Sequence, residues 1–424
     1  MKQSSKYKLK YLDKNALDIF MFNKILNLPS ILIKEHYQLD SDTYVFVVES
    51  SQKKAVCTRC GKMSTKLHQN HYYLVKDLPV SNYDTYLKIN RRQWKCEQCN
   101  RPFSEELEWL KKRRGYTSRF ANYILKQLIN SNIKAVSEIN NVTEAQIERM
   151  LKDIESEVNN KEIKTIKKLG IDEISLKKGK HNYCAVLVDI EKGELLRILQ
   201  GRTKEILRSE FNKWREEVLN NIEEVSIDLW RGYQTIVEEL MPKAEVVADR
   251  FHVMKQINEE LDNQRKKERR KIKTIKNKQE KEKKLKGIIG SKYILLKKEE
   301  KLTQEEKDKL KKLKKDFPNL KKMHEKKEEI REIYESGKNW EEGLEKIGKW
   351  LEEVKSIYPE SRKTIRNWLG EIVSYFDNRT TQGKVEGINN KIKLIKRLGY
   401  GFKNFNNFCT RVLLSWHFKN DLAY

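Results

Sequence analysis

The sequence predicts an α+β chain of several domains: a cysteine-bearing strand module, a short run of helices, and an α/β core interrupted by a helical insertion. Three observations carry this reading. Two CxxC pairs, Cys57/Cys60 and Cys96/Cys99, bracket a strand-rich interval. Apolar runs at 169–174, 183–190, 195–199, 225–229 and 245–248 are short and bounded by turn residues, as buried strands are. From 253 to 376 strand patterning gives way to charged helical segments, after which a last amphipathic helix follows.

Length and charge bound the function. A chain of 424 residues has room for several sizeable cores. Its formal charge of +27 and pI near 9.5 point to a polyanionic partner. No run of eighteen apolar residues is present, and the N-terminus lacks the apolar centre of a signal peptide. A soluble, cytoplasmic, nucleoid-associated protein with no membrane partner is therefore expected, and double-stranded DNA is the expected polyanion. Of the six cysteines, the four in pairs suggest metal in a reducing compartment. Cys184 and Cys409 stand alone in apolar surroundings and read as core.

Residues 1–115 read as a zinc-ribbon-like module. The segment 31–48 alternates enough for one or two strands. Four thiolates from Cys57, Cys60, Cys96 and Cys99 would close a tetrahedral Zn²⁺ site with no open position, so the metal would be structural. His68 and His71 lie between the knuckles, but four sulfurs already satisfy the ion. Arg91, Arg92, Arg113 and Arg114, with Trp94 among them, suit phosphate contact. A solvated basic face is the alternative for any one of them.

Residues 116–160 read as a helix-turn-helix. Phe120, Tyr123, Ile124 and Leu128 share one helical face, and 135–139 forms a second, shorter helix. Thr143 with Gln146 three positions on is a capping box opening a third helix. Its inner side carries Ile147, Met150, Leu151 and Ile154. This outline suits a DNA reader. The segment 161–168 links it to the core.

The first part of the core, 161–252, places Asp172 on the first apolar run and Asp228 at the end of the fourth. A turn is expected at 177–180 and a hairpin at 191–193. One helix should carry Leu207, Phe211, Trp214 and Val218. Three strands, a helix and a strand bearing a second aspartate is the opening order of a ribonuclease-H-like fold, in which the two aspartates lie side by side. Carboxylates so placed can share divalent metals that clamp the oxygens of a phosphoryl transfer. The insertion, 253–376, contains a Thr303–Glu306 capping box, a break at Pro318, and Trp340, Trp350 and Trp368, which read as its core. Its most basic section would line a DNA path or form a solvated helical hairpin.

A third carboxylate is needed, and the last part of the core, 377–424, offers Glu386. Val385, Ile388, Ile392 and Ile395 make an apolar stripe, while Glu386, Asn390, Lys393 and Arg397 follow the same spacing beside it. A helix packed by the first stripe would present the glutamate to the aspartates, with Lys393 and Arg397 available to DNA phosphates. Glu245 and Asp249 are nearer in sequence and remain competitors.

Taken together, the paired cysteines, GIDE at 170–173, DLWRGY at 228–233, ADRFHVMK at 248–255 and VEGINNKIKLIKRLGYGFKNFNNF at 385–408 resemble the DDE transposases of the ISL-three family of bacterial insertion sequences. The resemblance implies Asp172, Asp228 and Glu386 as catalytic carboxylates holding Mg²⁺ or Mn²⁺. It also implies an N-terminal DNA-binding region and a ribonuclease-H-like core split by a helical insertion. Asp249 and His252 resemble a DxxH element whose role is local architecture.

The expected activity is metal-dependent DNA strand cleavage and strand transfer at the terminal inverted repeats of a mobile element. Partners would be those repeats and target DNA, with a homodimer or larger assembly holding two ends together. The alternative is a domesticated, catalytically inactive DNA-binding relative; a nuclease or junction resolvase is disfavoured by the reader module.

Overall fold

The computed structural model describes residues 14–176, 183–380, 383–402 and 404–418. Two compact units divide the chain, one built on the residues up to 156, the other on 157–397 and 401–416.

In the first unit, helix α1 (Lys14–Leu26) leads into strands β1 (Ile31–Gln38) and β2 (Thr43–Ser50). Short strands β3 (Ala55–Val56), β4 (Met63–Ser64) and β5 (Leu67–Gln69) follow, then β6 (Tyr72–Val80), β7 (Tyr83–Asn90), β8 (Gln93–Lys95) and β9 (Pro102–Ser104). The long strands form one sheet in the order β1-β2-β7-β6, with β2 and β7 parallel. Its apolar face buries Ile33, Phe46, Val48, Val75 and Leu87. The short strands form a two-stranded and a three-stranded sheet that carry the cysteines.

Helices α2 (Ser118–Leu128), α3 (Ile133–Ile139) and α4 (Glu144–Asn159) complete the expected trio. Each starts where a side chain satisfies free backbone N–H groups. Thr117 accepts from Phe120 N, Asn132 from Ala135 N, and Thr143 from Gln146 N. Gln146 returns the bond to Thr143 N at 2.8 Å, which closes the expected capping box. Buried ionic contacts fasten the helices to the sheet. Lys76 Nζ donates to Asp84 and to the Asn140 carbonyl, and Asp77 accepts from Thr117 and Arg119.

The second unit is organised on five strands: β10 (Lys168–Ser175), β11 (Tyr183–Asp189), β12 (Glu194–Leu199), β13 (Glu224–Ile227) and β14 (Glu245–Ala248). Their order is β12-β11-β10-β13-β14, with an antiparallel meander on one side and β13 and β14 parallel to β10 on the other. The hairpin at 191–193 forms, with Gly193 in the left-handed region at φ +64°. The turn expected at 177–180 lies outside the described residues. The single helix expected through Leu207 and Val218 is instead two, α5 (Lys204–Phe211) and α6 (Glu216–Asn220). The backbone turns between them, and Trp214 folds back so that its indole N–H donates to Glu210 at 3.3 Å. All four apolar positions stay buried, so the periodicity survives the break.

Helix α7 (Arg231–Leu240) connects β13 to β14. After β14 come α8 (Arg250–Lys273), α9 (Lys278–Ile288), α10 (Ser291–Leu296), α11 (Gln304–Asp316), α12 (Pro318–Ser336), α13 (Trp340–Glu353), α14 (Pro359–Asn367) and α15 (Leu369–Asn378). The Thr303–Glu306 box caps α11, and Pro318 opens α12 at the position where its missing N–H costs nothing. Trp350 and Trp368 are buried, as expected of core residues. Trp340 is not: it begins α13 and is 45 % exposed. The insertion's apolar residues join those of the sheet in one continuous cluster, and α15 packs along the edge strand β14.

Helix α16 (Gly383–Leu398) returns the chain to the sheet, and α17 (Phe405–His417) follows. Val385, Ile388, Ile392 and Ile395 are all buried, so the predicted stripe is the packed one. Gly170 sets how closely α16 approaches. A Cβ there would stand 2.9 Å from Val385 Cγ2 and 3.2 Å from Ile190 Cγ1.

Candidate functional site

The cysteine knuckles are two copies of one local design. Each CxxC follows a short strand, and each is followed by a residue in the left-handed region, Gly61 and Asn100. Backbone bonds close both loops, Cys57 N to Lys62 O and Cys96 N to Arg101 O. The four sulfurs lie within 4.8 Å of one another, with Cys60 and Cys96 Sγ atoms 3.6 Å apart. Thiolates on a tetrahedral zinc would be separated by about 3.8 Å, so the set fits that ion. Backbone N–H groups of Arg59 and Cys60 directed at Cys57 lower its thiol pKa to about 6. Hydrogen bonding to Cys60 and burial push Cys99 up to about 12. One thiolate thus forms readily while the set as a whole calls for a cation. His68 and His71 are exposed and stand outside the group.

The aspartates of the core are positioned by strand register. Ile171 pairs with Ile227 across parallel strands β10 and β13, so Asp172 is the next residue on β10 and Asp228 the first beyond the end of β13. Across the insertion, α16 brings Glu386 to line the same 440 Å³ cavity as Asp172, along with Asn389, Asn390 and Lys393. Asn389 Nδ2 donates to Asp172 Oδ2 at 2.6 Å, although 217 positions separate the two residues. Its Oδ1 is buried without a partner among the described residues.

Asp249 caps α8 by accepting from Phe251 N and also accepts from His252 Nδ1 at 2.9 Å. The opposite ring nitrogen lies 3.6 Å from Asp228 Oδ2. Burial would keep this imidazole neutral, but the hydrogen bond to Asp249 and the charges of Asp228 and Asp172 raise its pKa. Burial raises the pKa of Asp172, against its backbone hydrogen bond and the nearby imidazole. Among the described residues only the cysteines bring three or more potential ligands within 4.8 Å, so the carboxylates stand further apart. Carboxylate oxygens and an orphaned amide oxygen are nonetheless hard donors of the kind Mg²⁺ or Mn²⁺ takes.

The basic residues read from sequence fall into two groups. Arg92 pairs with Glu105, Arg91 donates to the Glu105 carbonyl, and Arg114 grips Asp153 through two bonds. These side chains hold the fold of the first unit. Arg113, Lys393 and Arg397 are exposed, and Lys393 reaches the cavity. Asn389 and Phe251 line that cavity and were not singled out by the sequence reading. A signal for Asn389 existed: it sits between the apolar and polar stripes of α16, one turn after Glu386.

A family model described as a transposase matches residues 169–412. A helix-turn-helix domain of transposase family ISL3 matches 105–155, and a zinc finger of the transposases of IS204, IS1001, IS1096 and IS1165 matches 53–99. The transposase for insertion sequence element IS1001 of Bordetella parapertussis is 26% identical over 381 residues, covering 87% of this chain and 91% of that protein. The transposase for element IS1557 of Mycobacterium tuberculosis is 24% identical over 372 residues, 82% of each chain, in each of two strains.

Proposed function

The chain belongs to the ISL3 family of transposases, and on that premise we propose that it binds the ends of an insertion sequence and cuts and transfers DNA strands. The observation that carries the catalytic assignment is the contact across the insertion: α16 delivers Glu386 and Asn389 to the cavity of Asp172. The strand order β12-β11-β10-β13-β14 supports a ribonuclease-H-like core, because such a core needs its first strand central and flanked by the strand of the second aspartate.

In this reading Asp172, Asp228 and Glu386 hold Mg²⁺ or Mn²⁺. When bound, the metal supplies Lewis-acid stabilisation of charge on the oxygens of a phosphodiester and activates the attacking hydroxyl. Asn389 fixes the orientation of the Asp172 carboxylate. Asp249 holds the His252 ring, which faces Asp228 and restrains it. Lys393, exposed at the rim, contacts phosphate. The four-cysteine ribbon and the three helices of the first unit read DNA, and acting on two element ends together requires at least two copies of the chain.

Glu386→Gln preserves size and removes the charge the metal needs. Strand cleavage of a plasmid carrying the element should fall by on the order of a thousandfold, with DNA binding and zinc content unchanged. Full cleavage by this variant would remove Glu386 from the set and favour Asp249.

A further inference from the structure

The catalytic cavity does not stop at α16. Phe251, Met254 and Lys255 line it and also line a second cavity of 690 Å³ in the helical insertion. Along α8 the shared rim continues through Asn258, Glu259, Asp262 and Lys266, at the spacing of one helical face. That stripe is about 22 Å long at 1.5 Å per residue. On the far wall stand Lys292 and Arg331. Two carboxylates face four cations; Asp262 pairs with Lys266 and Arg331 with Glu328, while Lys255 and Lys292 are set against Glu259. The second cavity therefore carries net positive charge.

At the junction sits Phe251, 56 % exposed, while Val253 and Met254, on the core-facing side of α8, are buried. A lone exposed apolar side chain is ordinary. This one is a flat ring between a carboxylate cleft and a basic cavity. The lining around it is mixed and charged, without the contiguous apolar patch a protein partner would bury. A nucleobase meets these surroundings: its face stacks on an aromatic ring, and its phosphates are followed by lysines. Stacking on protein is available to a base only when it has left its neighbours, so the fitting ligand is an unpaired strand.

We propose that Phe251 is a stacking platform for an unpaired nucleotide beside the cleavage site, and that the strand continues along α8 into the basic cavity of the insertion. This rests on the reading of the first cavity as the place where DNA is cut. The insertion then holds the single strand that leads away from the carboxylates.

The test uses the full chain with zinc in place and the divalent ions of the cleft withheld, so that DNA is bound and not cut. A short oligo-deoxythymidine carrying 5-iododeoxyuridine is irradiated in the complex, and the crosslinked peptide is identified by mass spectrometry. The expected adduct is on Phe251. Adducts confined to the first unit or to other aromatics would overturn the proposal. In parallel, fluorescence polarisation compares the same oligomer with a mixed-sequence duplex. Phe251→Ala should weaken single-strand binding on the order of tenfold and leave duplex binding and the salt slope unchanged. Phe251→Trp should retain binding. Phe251→Leu should behave like the alanine variant, because it keeps apolar bulk and loses the flat face. Lys255→Gln should instead lower the salt slope by about 0.7. Wild-type affinity in Phe251→Ala, or in Phe251→Leu, overturns the stacking role alone. A wild-type chain that holds neither DNA overturns the DNA-cutting reading along with it.

Discussion

In the first unit, four sulfurs lie within 4.8 Å of one another, whereas the carboxylates of the second are bonded to neighbours: Asp172 to Asn389, with Asp228 facing His252. The contrast follows from ligand chemistry. Four cysteines carry less charge at neutral pH than four carboxylates would, so they can be packed together by backbone turns before any metal arrives. Carboxylates at neutral pH repel, and here Asp172 is tied to Asn389 on α16 while Asp228 faces His252 on α8. The ribbon is a closed structural site, and the cleft an open one assembled on a larger scaffold.

The largest effect should come from breaking the closed site. Among the described residues the buried cluster there is Cys57, Cys96, Trp94 and Phe103, with Ala55 and Cys99 packed against it, too little apolar area to hold the ribbon unaided. Structural zinc contributes an apparent ~10–16 kcal/mol in small zinc domains. Cys96→Ser should take zinc content from about one per chain to near none and abolish DNA recognition. Melting of the second unit should be unaffected. Zinc retained at the wild-type level would show that the four sulfurs are not its ligands.

The open site should yield to a change that touches no carboxylate. A methyl group at Gly170 would press on Val385 Cγ2 and Ile190, and Val385 adjoins Glu386 on α16. Overpacking of this kind costs about 1–3 kcal/mol. Gly170→Ala should lower the stability of the second unit by that amount and reduce cleavage, because α16 must lift or rotate. Zinc content should stay the same. Unchanged cleavage would mean that α16 is not held to this register in the working enzyme.

What could be read from sequence divides along the same line. The ribbon was legible because metal ligation imposes a short, local spacing. The strands bearing Asp172 and Asp228 were legible because buried strands are short apolar runs, and the stripe of α16 because one face is packed. The Asn389 bond to Asp172 was not, since it joins positions on either side of the insertion and rests on no local pattern. Nor was the break between α5 and α6, because both helices keep apolar residues at the spacing of a single one. Trp340 misled because aromatic content signals a core without saying which rings enter it. Least legible of all are the buried polar groups of α12, where Lys327 and His324 have no exposed surface in a stretch crowded with lysine and glutamate.

Those two residues offer the smallest prediction and sharpen the comparison by setting one histidine against another. His252 lies among carboxylates, which raise its pKa. His324 lies among cations. Burial and the charges of Lys327, Lys314 and Arg331 lower its pKa from 6.5 to about 2. Glu299 and Glu328 approach its ring nitrogens at 3.7 and 4.0 Å, but Glu299 is bonded to Lys314, and Glu328 to Lys327 and Arg331. The imidazole is accordingly held neutral in the fold. The unfolded chain takes up a proton near pH 6.5 that the folded chain refuses, so this contribution to stability is complete above that value and is lost as pH falls toward 2. Between pH 6.5 and 5.5 one such group removes about 1 kcal/mol. His324→Phe places an apolar ring in the same buried position and binds no proton. Denaturant unfolding of the second unit at the two pH values should show the wild type losing about 1 kcal/mol more than the variant. Parallel losses would mean that His324 accepts a proton in the folded chain, with Glu299 or Glu328 turned to meet it.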